Sequence, residues 1–273
     1  PDLIGVSCYI WNWEWSKEFA KTVKKKFPQC TIVAGGVQIP ANDITFMTNH
    51  RYFDFAIYGE GEGAFADFLL ARRLEKERGY GDCKSLIETK TQILGGLRFH
   101  SRRDFVDLEK LRSPYLDGVF DDIWPLAPRW QVLQETHRGC PYACSFCAWG
   151  QAALTELRPF PEERIKAEIE WFGQHKVDYL DNADANYGIL KRDIELTKYL
   201  ADTKRKYDFP RTFRTSFAKN SNETIWTIAN ILNDAKMLKS VTLAMQSMDD
   251  DVLVNIKRKN IKFSKFGDYV HRY

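Results

Sequence analysis

Three cysteines cluster in the stretch RGCPYACSFCAWG: Cys140, Cys144 and Cys147, spaced C-x3-C-x2-C. Thiolates bind soft metals, and three at this spacing can wrap one face of a metal centre. Structural zinc takes four Cys or His ligands, mostly as two close pairs. Here only His137 lies nearby, ahead of the motif, and no second pair follows. A cubane iron–sulfur cluster has four irons, so three cysteines leave one iron open. An open iron can chelate a substrate or cofactor, as an open zinc position does in catalysis. The remaining cysteines, Cys8, Cys30 and Cys83, are scattered. Cys8 and Cys30 sit in apolar strand contexts and read as small buried hydrophobes. A tight cluster in a large chain without secretory features points to metal binding in a reducing, cytoplasmic compartment, not to three disulfides.

The elements around the motif must place it. Downstream of Arg129, strand and helix patterns alternate. QVLQET, VDYLDNAD, RTFRTSF and SVTLAM read as strands, and PEERIKAEIEWFGQH, ILKRDIELTKYLADTKRKY, NETIWTIANILNDAK and DDDVLVNIKR as helices. Pro161 belongs to a first helical turn, and Ser221 or Asn222 is the expected cap of the third helix. The cysteines follow the first of these strands, at its C-terminal end. Upstream, LIGVSCYI, TIVAGG and FDFAIYGEGEG are apolar, β-branched strands alternating with helices at SKEFAKTVKKKF, PANDITFMTNH and AFADFLLARRLEKERG. That pattern predicts a parallel sheet with covered faces. Ser16 is the expected cap of the first helix, with Phe19, Val23 and Phe27 on its buried face. TQILGGLRFHSRR reads as a short hairpin turning at Gly95–Gly96, and LRSPYLDGVFDDIWPLAP as a connector. The expected domains are 1–80, a connector over 81–128, and 129–273.

Composition excludes several classes. The 273 residues include 40 basic and 37 acidic ones, a net charge of +3, with 44% hydrophobic and 28% charged residues. This near balance argues for no nucleic-acid partner. No apolar run reaches the roughly 18 residues of a membrane span. The chain starts at Pro1, has few strands for its first domain and leaves its second alternation unclosed, so it reads as a fragment at both ends.

The C-x3-C-x2-C motif after a strand, with Phe146 before the last cysteine, resembles the radical S-adenosylmethionine (SAM) family. The resemblance implies a (β/α)6 barrel in which SAM supplies the missing ligand through its methionine amine and carboxylate. Reductive cleavage of SAM then yields a 5′-deoxyadenosyl radical. It implies metal ligation by Cys140, Cys144 and Cys147, and adenine contacts around Phe146. Trp149 and Gly150 resemble a recurring C-x-W-G ending. At the next strand end, LDNADANYG, the resemblance points to Asp184 and Asn186 for the SAM amine, with Gly188 letting the loop turn. The sequence departs there from the Gly-Gly-Glu form of many members, and an Asx-rich helix cap before ILKRDIEL explains the same residues. At later strand ends, Ser216, Lys219, Gln246 and Ser247 face the question of a cofactor role. Gln246 is the one favoured, Lys219 reads as solvated charge, and Arg138 as a loop bridge. An electron donor such as flavodoxin or ferredoxin is the implied partner.

GEGEG does not read as a dinucleotide loop, because Glu60 and Glu62 would oppose the pyrophosphate. GVSCYIWNW, VAGGVQIP and FDFAIYGEGEGAF instead resemble the cobalamin-binding domain that precedes many radical SAM barrels. The fold expected is therefore α/β: a partial flavodoxin-like sheet followed by a partial radical SAM barrel. Ser7, Gly35, Gly36 and Gly59 would lie near the nucleotide tail of cobalamin, where glycine permits close backbone approach. No D-x-H-x-x-G cobalt-ligand motif occurs in the sequence. Trp11, Trp13 and Trp15 could flank the corrin, with core or interdomain packing as the plainer reading. The activity implied is reductive SAM cleavage, for methyl transfer or radical rearrangement. Methylthiolation is disfavoured, because Cys8, Cys30 and Cys83 do not form a second triad. A non-catalytic metal-binding scaffold is the competing class.

Overall fold

The computed structural model describes residues 1–41, 43–73, 86–88, 98–99, 105–147, 156–218, 223–241, 245–261 and 266–267. It divides into two units, Pro1–Asp107 and Leu108–Tyr273.

The first unit is built on strands β1 (Leu3–Ser7), β2 (Thr31–Gly35) and β3 (Phe55–Ile57), with helices α1 (Trp13–Lys26), α2 (Ile44–Asn49) and α3 (Gly61–Arg73) between and after them. β1, β2 and β3 pair in parallel, with Val6 opposite Ala34 and Ala34 opposite Ala56. Their ends therefore share one edge. Two short strands, β4 (Leu86–Glu88) and β5 (Arg98–Phe99), extend the sheet antiparallel from β3. Only β5 falls within the hairpin expected over TQILGGLRFHSRR; its partner β4 lies upstream of that stretch, and Gly95–Gly96 lie outside the described residues. Ile32, Met47, Phe53 and Ala56 are fully buried on one side, and Phe68 and Leu86 on the other. Asp54 is buried with them; its carboxylate accepts from the Ile32 N–H at 2.8 Å and pairs with Lys24.

Two local expectations fail. Ser16 does not cap α1. The helix starts at Trp13 with Asn12 in the cap position, and Ser16 is fully buried one turn in. Asn12 is fixed there because its side chain accepts from the Tyr9 N–H at 2.8 Å and donates to the Ser7 carbonyl at 2.9 Å. With the start moved, the buried face becomes Ser16, Ala20 and Val23, and Phe27 stands exposed at the C-cap.

In the second unit, β6 (Gln131–Gln134), β9 (Tyr179–Asn182) and β10 (Thr212–Arg214) form a parallel sheet with β9 in the centre. β7 (His137–Arg138) and β8 (Arg158–Pro159) make a small antiparallel pair just beyond β6. Helices α4 (Glu162–Gln174), α5 (Asp193–Tyr207) and α6 (Glu223–Asp234) cover one sheet face, and α7 (Asp250–Asn255) follows. Alternation decides the faces. Val132, Leu180 and Phe213 point under the helices and join Ile165, Phe172, Leu200 and Ile228 in one core. Leu133 and Tyr179, on the opposite parity, are exposed. Pro161 occupies the cap position before α4. Half of the fourth expected strand, SVTLAM, and the expected cap of α6 lie outside the described residues.

Among the described residues no helix is long and apolar enough to cross a membrane.

Candidate functional site

β6, β9 and β10 run the same way, so the loops leaving their C-terminal ends meet at one edge. The cysteine loop leaves the first of them by way of β7. Cys140 and Cys144 are buried, and Cys147 is half-buried. The loop holds itself with the Cys147 N–H on the Cys144 carbonyl at 3.1 Å. It is also tied to the end of α7, where the Ser145 N–H donates to the Ile256 carbonyl at 3.1 Å.

Asp184, just beyond β9, closes the start of this loop. Its Oδ1 accepts from the backbone N–H of Thr136 at 2.8 Å and of His137 at 3.2 Å. Its Oδ2 accepts from the Thr136 hydroxyl and stands 3.2 Å from His137 Nδ1, both side chains being fully buried. Burial pushes the Asp184 pKa up. The hydrogen bond and charge of His137, with the Thr136 bond, outweigh that and hold the carboxyl below the usual carboxylate range. Both oxygens are thus committed to Thr136 and His137, the residues that lead into the cysteines. The helix cap foreseen for this Asx-rich loop does not form: Arg192 holds the cap position of α5 with no side-chain cap bond, and Asp193, in the first turn, ties back the loop before it. Asp193 Oδ2 accepts from the N–H groups of Gly188 at 2.9 Å and Leu190 at 3.1 Å. Gly188 turns with φ +87°, a backbone conformation that favours glycine, and a Cβ there would press on Ile225 Cδ1.

Asn186 reaches the cysteines directly. It is fully buried, and its Nδ2 donates to Cys140 Sγ at 3.1 Å. Its Oδ1 is buried with no hydrogen-bond partner among the described residues. A buried amide oxygen without a donor costs about 1–3 kcal/mol, so this atom asks for one. Arg258 comes in from beyond α7. It is buried, with Nη1 3.9 Å from Cys144 Sγ and with Nε and Nη2 unpartnered among the described residues. Nothing in the local sequence marks this residue, which sits in a Lys-Arg-Lys run.

Phe146 is 53% exposed beside Cys147. Gln246 is exposed, with its backbone N–H 3.5 Å from Asn260 Oδ1. Ser247 is used locally: its hydroxyl accepts from the Asp249 N–H at 3.0 Å. Ser216 is exposed, and its carbonyl accepts from the Tyr187 N–H at 2.9 Å. Arg138 pairs with Glu135 at 2.9 Å, a bridge within its own loop. Trp149 and Lys219 lie outside the described residues. Among the described residues no three Cys, His, Asp or Glu side chains form a site for a single metal ion. A cubane asks for a different arrangement, since each thiolate binds its own iron. Donors on Cys140 and Cys144, with Arg258 Nε and Nη2 unpartnered among the described residues, suit such an anionic cluster.

In the first unit, Ser7, Gly35, Gly36 and Gly59 come together at the C-terminal edge of β1, β2 and β3, the edge where open parallel sheets bind ligands. Gly36 has φ +95°, and a Cβ would fall 2.7 Å from the Cys8 carbonyl oxygen. Gly59 has φ +76° with nothing within 4 Å of its would-be Cβ, so its backbone is open to a close-lying group. Ile10 and Trp11 lie in the loop after β1, 79% and 77% exposed, and Trp11 stacks on Tyr9 with ring centroids 4.6 Å apart. Trp13 packs on Phe46 in the core, and Trp15 lies outside on Phe19. Cys8 and Cys30 are buried as expected, and burial pushes the Cys8 thiol up to about 11. Cys83 lies outside the described residues.

Residues 1–69 match the B12 binding domain family. The whole chain aligns, at 40% identity, with the cobalamin-dependent radical SAM methyltransferase TokK of Streptomyces tokunonensis. It aligns at 39% identity with the 2-(S-pantetheinyl)-carbapenam-3-carboxylate methyltransferase of Streptantibioticus cattleyicolor. In both cases it spans 40% of the relative's length. The fold is that of the radical SAM methyltransferase TsrM of Kitasatospora setae, solved with tryptophan and a SAM analogue: TM-score 0.70 at 14% identity, covering 100% of this chain and 54% of that one.

Proposed function

We propose that this chain, part of a radical SAM protein with an N-terminal cobalamin-binding domain, belongs to an enzyme that moves a methyl group from SAM to a small molecule. The acceptor is a carbon or phosphorus centre that ordinary nucleophilic methylation does not reach. The observation that carries the reading is the meeting of Asn186 with Cys140 at 3.1 Å, which joins the cysteine loop to the end of the neighbouring strand.

When bound, an open-iron 4Fe–4S cluster supplies the electron for reductive SAM cleavage, and cobalamin supplies a carrier for the methyl group. The chain's own residues bind and orient. Cys140, Cys144 and Cys147 hold three irons. Asn186 donates to the Cys140 sulfur and offers its orphaned Oδ1 to the SAM ammonium group. Asp184 keeps Thr136 and His137 in place, so the loop enters the site in one geometry. Phe146 offers its exposed ring, with Trp149 nearby in sequence, to adenine, and Gln246 serves the same cofactor from its loop. Ser7, Gly35, Gly36 and Gly59 leave bare backbone for the cobalamin tail. The reducing electron comes from a flavodoxin- or ferredoxin-like donor in the cytoplasm.

The test uses the full-length protein, purified without oxygen, reconstituted with iron and sulfide, and given SAM, dithionite and hydroxocobalamin. Formation of both 5′-deoxyadenosine and S-adenosylhomocysteine, with cobalamin retained, is expected. Deoxyadenosine alone from cobalamin-free protein would remove methyl transfer from the reading. A colourless protein holding one zinc would remove radical chemistry altogether.

A further inference from the structure

Within the run Lys257–Arg258–Lys259 the outer two residues are exposed and Arg258 is 5% exposed. The chain reverses at Lys257, which takes φ +51°, and turns the next side chain inward. The same segment grips the cysteine loop through the Ser145 N–H on the Ile256 carbonyl. A guanidinium keeps its positive charge in proteins, and burying it unpaired is strongly unfavourable. Among the described residues Arg258 has no carboxylate partner; its one polar side-chain contact is Cys144 Sγ at 3.9 Å, and Nε and Nη2 have none. The arrangement lacks an anion, and the group expected at Cys144 is one: thiolates and sulfides carrying net negative charge.

We propose that Arg258 is a positioning residue for the cluster, supplying the buried positive charge that balances it at Cys144 and favours its reduced form. This rests on the cluster reading above. The step concerned is the one-electron reduction of the cluster by the external donor. A fixed cation beside the cluster stabilises the extra negative charge of the product and so raises the reduction potential. Asn186 acts on Cys140 through a neutral amide, so Arg258 is the one charged donor among the described residues that reaches a cluster cysteine.

The experiment compares wild type, Arg258→Met and Arg258→Lys in the full-length, anaerobically reconstituted protein. Iron and sulfide are counted first. Wild type that binds no cluster defeats the cluster reading itself, whatever the variants do. With the cluster loaded, its midpoint potential is measured by mediated titration followed by electron paramagnetic resonance. Arg258→Met is expected to lower the reduced-to-oxidised ratio at fixed poise about tenfold, a shift of roughly 59 mV, while Arg258→Lys stays close to wild type. An unchanged potential in a fully loaded Arg258→Met protein overturns the proposal. So does an unchanged potential with weakened SAM binding, which assigns the guanidinium to the methionine carboxylate instead. If Arg258→Met loads no cluster, recovery of loading by Arg258→Lys supports the charge, and failure of the lysine variant counts against it.

Discussion

Asn186 Nδ2 lies 3.1 Å from Cys140 Sγ, across 46 positions of sequence. The contact joins two strand ends that the alternation of strands and helices brings to one edge. It also leaves Asn186 Oδ1 buried and without a donor among the described residues. Replacing Asn186 by Ala should therefore leave the cluster in place and weaken SAM. A hydrogen bond to a charged group is worth about 1.5–3 kcal/mol, so the Kd for SAM should rise about tenfold or more. Equilibrium binding to the oxidised, cluster-loaded protein reads this directly; wild-type affinity would remove Asn186 from the SAM site.

Cysteine replacement should separate two classes. Cys140→Ala, Cys144→Ala and Cys147→Ala should each lose the brown chromophore, against about four irons and four sulfides per chain in wild type. Cys8→Ala should keep the full complement, because Cys8 is a buried member of the first unit's core. Iron and sulfide analysis after reconstitution decides. Full iron content in Cys144→Ala would contradict the ligand assignment.

Two glycines at the edge of the first sheet should differ in a telling way. Gly36→Ala places a Cβ 2.7 Å from the Cys8 carbonyl and should destabilise the fold by about 1–3 kcal/mol. Gly59→Ala meets nothing within 4 Å and carries only the cost of its positive φ, about 1 kcal/mol. Gly59→Ala should nevertheless release cobalamin, because the space it fills is the space left for the ligand. Cobalamin retention through gel filtration, beside thermal unfolding, distinguishes the two. Full retention in Gly59→Ala would move the ligand away from that loop.

Asp184 and Asp193 should give acid stability opposite slopes. The Asp184 carboxyl is depressed in the fold. Its contribution is present above the unfolded value of about 3.9 and is lost as pH falls through the folded pKa. Asp193 is pushed up to about 6, first by burial, which the Leu190 and Gly188 N–H groups only partly offset. His137 and Asp184 also face it, the first lowering and the second raising its pKa. A raised carboxyl favours the fold below the unfolded pKa, and that contribution is lost as pH rises from about 4 to about 6. Asp193→Asn should flatten this window, where wild type loses roughly 2–3 kcal/mol. Denaturation midpoints at pH 4.5 and pH 7 test it; an unchanged difference between them would place the slope elsewhere.

What the sequence disclosed follows from how local each signal is. Strand and helix periods, the cysteine spacing and the glycines after strands are all contained in short windows, and the strand periods led to β1, β2, β3, β6, β9 and β10. Ser16 misled because helix starts are set by competing caps. Asn12, locked by Tyr9 and Ser7, takes the position one turn earlier. Asp184 and Asn186 stand two residues apart in a loop whose polar residues look alike in sequence. Only the fold turns one toward Thr136 and the other toward Cys140. Arg258 is the extreme case. It lies 114 positions from Cys144 in a run of surface-like basic residues, and nothing local marks it as buried.

The question of whether three cysteines leave an iron open is best put to the reduced cluster itself. Its electron paramagnetic resonance spectrum should be recorded in the full-length protein before and after SAM is added, under conditions too cold for turnover. A change in the g-values on adding SAM, lost in Cys147→Ala along with the cluster, is the result expected of an iron that SAM ligates. A spectrum that SAM does not move would mean a cluster closed by a fourth protein ligand, and would contradict the assignment of this site to SAM cleavage.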